Sequence, residues 1–327
     1  MTRRARRLDE DDVRVRPGRG SRPRTRTRPL HDDAVAGFVM AVDRGRFRCQ
    51  VEGGRISSVT AMKARELGRK GVVVGDRVAL VGDVSGDLGA LARIVRVEPR
   101  TSALRRTADD ADPVERVLVA NAEQLVIVTA LADPEPRPRL IDRCLVAAYD
   151  EGLVPLLCLT KSDLASPELL LGVYEPLGVP HVVMRHSEPL EALLRRLRGR
   201  RSVLVGHSGV GKSTLVNALV PGADRLTGEV NLVTGRGRHV STSAVALRLP
   251  GDGGWVIDTP GVRSFGLAHV RPQRVVEAFP EMLPGTRDCP RSCSHDEPEC
   301  ALGAWVEGGN ADPARLVSLR RLLAALG

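Results

Sequence analysis

Nine residues, GHSGVGKST at 206–214, leave this chain very few folds to choose from. They satisfy G-x-x-x-x-G-K-[ST], and they stand between an apolar run that reads as a strand, SVLVGH, and a run with helical character, TLVNAL. A strand, a tight loop and a helix in that order build a cradle for phosphate. Gly209 and Gly211 let successive backbone N–H groups converge, and the helix N-terminus adds a partial positive charge. In that frame Lys212 bridges the outer phosphates and the Ser213 hydroxyl ligates Mg²⁺, with Gly206, His207, Ser208, Val210 and Thr214 completing the loop. Of 49 basic residues only four are lysines, Lys63, Lys70, Lys161 and Lys212. A chain that uses arginine nearly everywhere keeps lysine where a compact ammonium is needed.

Two further segments complete a nucleotide site. WVIDTPG (255–261) is an apolar strand ending in D-x-x-G, in which Asp258 holds Mg²⁺ through water and the Gly261 N–H senses a γ-phosphate. LTKSDL (159–164) ends another strand. The Asp163 carboxylate can accept from guanine N1–H and N2–H₂ together, donors that adenine lacks, while Lys161 lays its aliphatic stem over the ring. Thr160 stands where this motif usually carries Asn and keeps the capacity for one hydrogen bond, Ser162 lies between, and Ser187, after the next strand, is the expected last base contact. GRGRHVSTSA (235–244) is polar and Gly-rich, so it reads as a mobile switch loop whose hydroxyl reaches Mg²⁺ only beside a γ-phosphate. Thr242 is the first choice for that hydroxyl and Ser241 the second.

The order of these parts is base reader (160–163), second base contact (187), phosphate loop (206–214), first switch (242), second switch (258–261). That is a circular permutation of the usual order in a GTP-binding domain, and it is physically cheap because domain termini lie at the surface and often close together.

Residues 34–97 differ in kind. AGFVMAV, RFRCQV, VVVGDRVALVG and ALARIVRVE are short β-type runs broken by turn signals, which predicts a small barrel with the OB-fold leading. Phe38 and Phe47 are the aromatic rings that the segment offers for stacking on bases. Arg44, Arg46, Arg48, Arg65, Arg69 and Lys70 favour contact with a nucleic-acid backbone. From about residue 113 buried strands alternate with helices (139–152, 188–198), which predicts a parallel sheet with helices on both faces and ligands at the carboxyl ends of its strands.

Beyond residue 283 the chain turns irregular. Cys289-x₃-Cys293-x-His295-x₄-Cys300 gathers four soft or borderline ligands within twelve residues, a set suited to a closed tetrahedral zinc site. DPARLVSLRRLLAAL (312–326) closes as a helix with Asp312 as its cap and Pro313 at its first position. Cys49, Cys144 and Cys158 lie in apolar runs and are expected in the core. No run approaches the roughly 18 to 20 apolar residues of a membrane span, and the first residues carry no apolar stretch like a secretory signal, so a cytoplasmic, soluble protein is expected. The formal charge of +9 is concentrated in residues 1–30, where eleven arginines face four acids. Such an arm is expected to be disordered and drawn to polyphosphate.

On the strings ANAEQLVIV, IDRCLVAAYDEGLVPLLCLTKSDL, VGHSGVGKSTLVNAL, GRGRHVSTSA, VIDTPGVRSFGL, AFPEM and CSHDEPEC, the chain closely resembles the ribosome small subunit-dependent GTPase A family over about residues 35–327. It departs from that family at Thr160, in having VST where the family has a run of Thr, and in zinc spacings each one residue shorter. Behind the Arg-rich arm (1–33), the resemblance implies an OB-like barrel (34–100), a permuted GTPase domain (101–282) and a zinc-binding segment with helices (283–327). It implies a monomer that binds the small ribosomal subunit and its rRNA late in maturation and hydrolyses GTP faster there. Val262 holds the place where small G proteins put a water-orienting Gln, so unaided hydrolysis should be slow, and the resemblance points to His239 for that work. Three rivals share parts of the pattern: a P-loop small-molecule kinase, an RNA-binding module that uses its G domain only as a switch, and a permuted GTPase of the large subunit.

Overall fold

The computed structural model describes residues 31–53, 58–68, 71–87, 89–106, 116–185, 188–223, 244–251, 253–259 and 266–326. The chain divides into Met1–Asp32 and Asp33–Gly327. All but the last two residues of the first unit lie outside the described residues, and the expected arm lies there with them.

In the second unit, β1 (Val35–Asp43), β2 (Arg46–Val51), β3 (Ser58–Lys63), β4 (Arg77–Gly82) and β5 (Ala92–Val97) run in the order β1-β2-β3-β5-β4, and β4 pairs back onto β1. The result is a closed five-stranded barrel. Period-2 alternation builds it: in RFRCQV, Phe47, Cys49 and Val51 turn inward while Arg46, Arg48 and Gln50 turn out. The alternation also settles the aromatic residues. Phe38 and Phe47 are buried, so neither offers a face for stacking on bases. Phe47 fills the barrel interior, and Phe38 packs on Trp255 of the following domain with ring centroids 5.0 Å apart.

A two-stranded ladder, β6 (Ala103–Arg106) with β7 (Arg116–Ala120), leads into the nucleotide-type sheet. There β8 (Gln124–Ala130), β9 (Val154–Thr160), β10 (His181–Val183), β11 (Arg200–Val205) and β13 (Gly254–Asp258) are parallel, in the order β10-β9-β8-β11-β13. Every residue of β8 is buried, as a central strand covered on both faces must be. The strand β12 (Val245–Arg248) departs from expectation by running antiparallel to β13. Only five residues join the two, too few for a parallel crossover.

Two cores flank this sheet. On one face, α3 (Glu191–Leu197) and α4 (Lys212–Leu219) contribute Leu193, Leu197, Leu215 and Leu219. On the other, α1 (Pro138–Asp150) shares a core with α2 (Glu168–Tyr174) and with the C-terminal helices α5 (Pro272–Glu277), α6 (Ala301–Glu307) and α7 (Pro313–Ala324). The barrel joins the sheet edge through Ala41 of β1, paired with Val245 of β12. The seam is reinforced by the Asn121 amide donating to Gly75 O (2.9 Å) and by Ala120 N donating to Val74 O (2.9 Å). No helix among the described residues is long and apolar enough to cross a membrane.

Candidate nucleotide and metal sites

The phosphate loop leaves the carboxyl end of β11 against its neighbour β8. A side chain at Gly206 would place its Cβ 2.5 Å from Val128 O, so only glycine lets the two backbones approach there. Gly209 (φ 85°) and Gly211 (φ 89°) take left-handed conformations, and α4 starts at Lys212. Ser208, Ser213 and Thr214 are exposed on the loop, and Val210 is buried beneath it. The Lys212 side chain is buried. Its Nζ donates to the Asp258 carboxylate and, at 2.5 Å, to Thr259 O, while the Thr259 hydroxyl donates to Leu204 O at 2.7 Å. The ends of β11 and β13 are thereby stitched together with an ammonium and a carboxylate side by side.

The base-reading segment reaches the same place from β9. The Thr160 hydroxyl is buried and donates to Val210 O at 2.6 Å, inside the phosphate loop. Position 160 therefore ties the two motifs together through backbone. Lys161 adopts φ 57° and its Nζ donates to Asp133 O, Ser162 N donates to Met184 O at 3.2 Å, and Asp163 is exposed. A cavity of ≈ 570 Å³ joins these parts, lined by Asp163, Lys161 and Arg185 from the base-reading side and by Gly211, Thr214 and Leu215 from the phosphate loop. Ser187, His239, Ser241, Thr242, Gly261 and Val262 lie outside the described residues.

Sequence reasoning passed over the segment after β8. Asp133 O holds Lys161, and Pro134 Cδ lies 3.5 Å from where a Cβ of Gly209 would stand, so this loop braces both motifs. The signal was available: a turn cluster, ADPEP, at the carboxyl end of a buried parallel strand.

Some 45 residues at the C-terminal end carry the second constellation. Cys289 Sγ lies 3.7 Å from His295 Nδ1 and 3.8 Å from Cys300 Sγ, and Cys300 Sγ lies 3.7 Å from the same Nδ1. All four ligand atoms, Cys293 included, fall within 4.8 Å of one another. Bonds of ~2.3 Å to a tetrahedral ion would set neighbouring ligands about 3.8 Å apart. The Cys₃His set fits a metal ion on that measure. His295 N donates to Cys293 Sγ at 3.3 Å, and Arg320 Nε of α7 donates to His295 O at 2.8 Å, so the cluster is fastened to the last helix. Cys49, Cys144 and Cys158 are buried elsewhere, and burial pushes each thiol up to about 12.

A phosphate loop and a base-reading segment that precedes it in the chain, meeting at the carboxyl ends of one parallel sheet, define a circularly permuted P-loop GTPase. The family model for RsgA GTPase matches residues 97–268. A protein named small ribosomal subunit biogenesis GTPase RsgA, from Ectopseudomonas mendocina strain ymp, is 42% identical over 265 residues, covering 78% of this chain and 75% of its own length. One of the same name from Gemmatimonas aurantiaca is 39% identical over 258 residues (77% and 83%). Among solved structures, YjeQ from Thermotoga maritima superposes with a TM-score of 0.65 at 26% identity, covering 90% of this chain and 98% of that one. YloQ, a circularly permuted GTPase, has the same fold, with a TM-score of 0.64 at 21% identity over 91% and 97%. The chain belongs to the RsgA GTPase family, and it is a GTP hydrolase.

Proposed function

We propose that this GTPase acts in maturation of the small ribosomal subunit, cleaving GTP to GDP and phosphate faster when bound to the subunit and its rRNA, and leaving afterward. What supports the site is the cavity with Asp163 at one end and Gly211 and Thr214 at the other. What supports the partner is the shared printed name of the relatives, small ribosomal subunit biogenesis GTPase.

In this reading Asp163 accepts from guanine N1–H and N2–H₂, Lys161 covers the ring, and Ser187 makes the last base contact. Thr160 and Ser162 hold the reader in place. Gly206, His207, Ser208, Gly209, Val210, Gly211 and Thr214 present the loop to the phosphates, and Lys212 reaches the β- and γ-oxygens. Ser213, Asp258 and Thr242 are the residues that would hold Mg²⁺, which when bound draws charge from the phosphates. Gly261 senses the γ-phosphate through its N–H, and His239 orients water for in-line attack on phosphorus. We assign zinc to Cys289, Cys293, His295 and Cys300, one ion per chain, with a structural role. The chain works as a cytoplasmic monomer. Its parts are an arm (1–33), a barrel (34–100), a GTPase domain (101–282) and a metal segment (283–327).

GTP turnover with and without purified small subunits tests the reading. Completion of the site by the partner is expected to raise turnover by about 10³ to 10⁵; no stimulation at any salt concentration overturns it. The base pocket is tested separately. Asp163→Asn should lose GTP affinity and gain xanthosine triphosphate, whose 2-oxo group accepts from the new amide, and an unchanged nucleotide preference would exclude that pocket.

A further inference from the structure

At the amino ends of the parallel strands, across the sheet from the nucleotide cavity, a second cavity of ≈ 560 Å³ opens at the seam between barrel and GTPase domain. Phe38, Gln50 and Glu52 line it from the barrel, and Arg200, Arg248 and Trp255 from the GTPase domain. The volume is of the size that takes a small organic ligand or one nucleotide unit.

Two chemistries meet in it. The first is a flat apolar face. Trp255 is half-buried, packs against Phe38 with the planes tilted by 44°, and its indole N–H makes no hydrogen bond among the described residues. Trp305, by contrast, spends its N–H on Glu281 O at 2.9 Å. In a chain whose aromatic content is 2%, burial of Phe38 and Phe47 leaves the half-buried Trp255 as the partly exposed ring beside the barrel among the described residues. The second chemistry is cationic. The acids nearby are already matched: Glu123 pairs with Arg201 at 3.1 Å, and Glu52 lies 3.8 Å from Arg77. Arg200 is exposed and has no partner among the described residues, so its positive charge faces the cavity, on whose wall the exposed Arg248 also stands.

We propose that this cleft binds a single-stranded RNA segment, one base lying on Trp255 and the adjoining phosphates on Arg200 and Arg248. Stacking on a ring and charge on the backbone are the two terms by which unpaired nucleic acid is held without sequence preference. Gln50 and Glu52 add acceptors for a ribose 2′-hydroxyl, which an oligodeoxynucleotide lacks. The rRNA as source rests on the functional reading above; the chemistry of the cleft does not.

The test uses the full chain saturated with GDP and Mg²⁺, so that the guanine pocket is filled, titrated with a single-stranded hexamer of adenosine and uridine while tryptophan emission is followed. Quenching is expected, weaker for the deoxy hexamer and falling as salt rises. Trp255→Leu should weaken binding roughly 5- to 150-fold, the span of one base on one ring. Because Trp255 packs in the seam, Arg200→Glu is the companion variant: its side chain is exposed, so basal GTP turnover should be unchanged while hexamer binding and its salt slope fall. Equal hexamer affinity in wild type and Arg200→Glu, quenching by adenosine monophosphate as tight as by the hexamer, or binding of an acidic peptide in place of RNA overturns the proposal. Small-subunit stimulation of the wild type is recorded in parallel. Stimulation without hexamer binding rejects the cleft alone, and hexamer binding without stimulation rejects the ribosomal reading alone.

Discussion

The barrel closes around an interior of its own, with Val39, Cys49, Leu80 and Ile94 completely buried in it. The C-terminal segment has no such interior. Leu302, Leu316, Leu319 and Leu322 pack into the core that α1 already occupies. A segment of that size cannot bury enough of its own apolar surface to repay its ordering, and such segments need a metal or a borrowed core. This one borrows a core, carries a Cys₃His set that could hold a metal ion, and adds a row of arginines. Arg321 reaches Asp142 (3.2 Å) and Val173 O (3.1 Å) and lies over the Tyr174 ring; Arg315 pairs with Glu281 (2.5 Å) and lies over Phe279. Arg143 returns the contact from α1, donating to Ala325 O at 2.8 Å. Burial raises the Asp142 carboxyl above its usual value and the Arg321 guanidinium opposes that rise. One region is self-supporting, then, and the other is held in place by a borrowed core and by charged fasteners, beside a cluster that could hold a metal.

The widest gap between the two should open on metal removal. Chelation, or Cys293→Ala, is expected to strip hydrogen-exchange protection from residues 283–311 and leave the barrel strands unchanged, since structural zinc supplies about 10 to 16 kcal/mol of apparent folding energy in small metal-dependent peptides. Thiol alkylation gives a second reading. Cys289, Cys293 and Cys300 should become reactive after chelation, whereas Cys49, Cys144 and Cys158, whose thiols burial pushes up to about 12, stay inert. A metal-free protein with a fully protected C-terminal segment would erase the distinction. Leu80→Ala reverses the experiment: deleting a fully buried side chain from the barrel should cost about 2 to 5 kcal/mol in denaturant unfolding, with zinc content unaltered. Arg321→Ala leaves a buried carboxylate short of its partner and should cost about 1 to 3 kcal/mol, read as faster exchange in α7 and none in β1–β5. Smallest is Asp312→Ala, which removes the 2.7 Å bond from Ala314 N and about 1 kcal/mol of helix stability, visible in the melting of α7.

How much of this was legible follows the range of the forces involved. The phosphate loop, the Asp312 cap and the metal ligands are local patterns, and the structure puts Asp163 and Gly211 on one cavity. Elements whose stripes are blurred escaped. In β3 the inward residues are only Val59 and Ala61 while Met62 faces out, so the alternation is weak in apolar terms. In α2, Leu169 is 91% exposed and Gly172 interrupts the run, which hides the helical face. The ladder of β6 and β7 had no sequence cue, because it exists through its partner. The target of the Thr160 hydroxyl was equally hidden: a tie to Val210 is a matter of tertiary distance, and no residue type announces it. The antiparallel turn of β12 was open to deduction from its five-residue connection.

The pairing of Ala41 with Val245 makes barrel and GTPase domain a single hydrogen-bonded sheet of eleven strands. Joined in this way, the barrel cannot swing about residue 100 without breaking that pairing as well as the bonds made by Asn121 and Ala120. And β12 begins three residues after Thr242, the candidate switch hydroxyl, which lies outside the described residues. The strand that follows the candidate switch is therefore moored to the barrel, which serves it as an abutment.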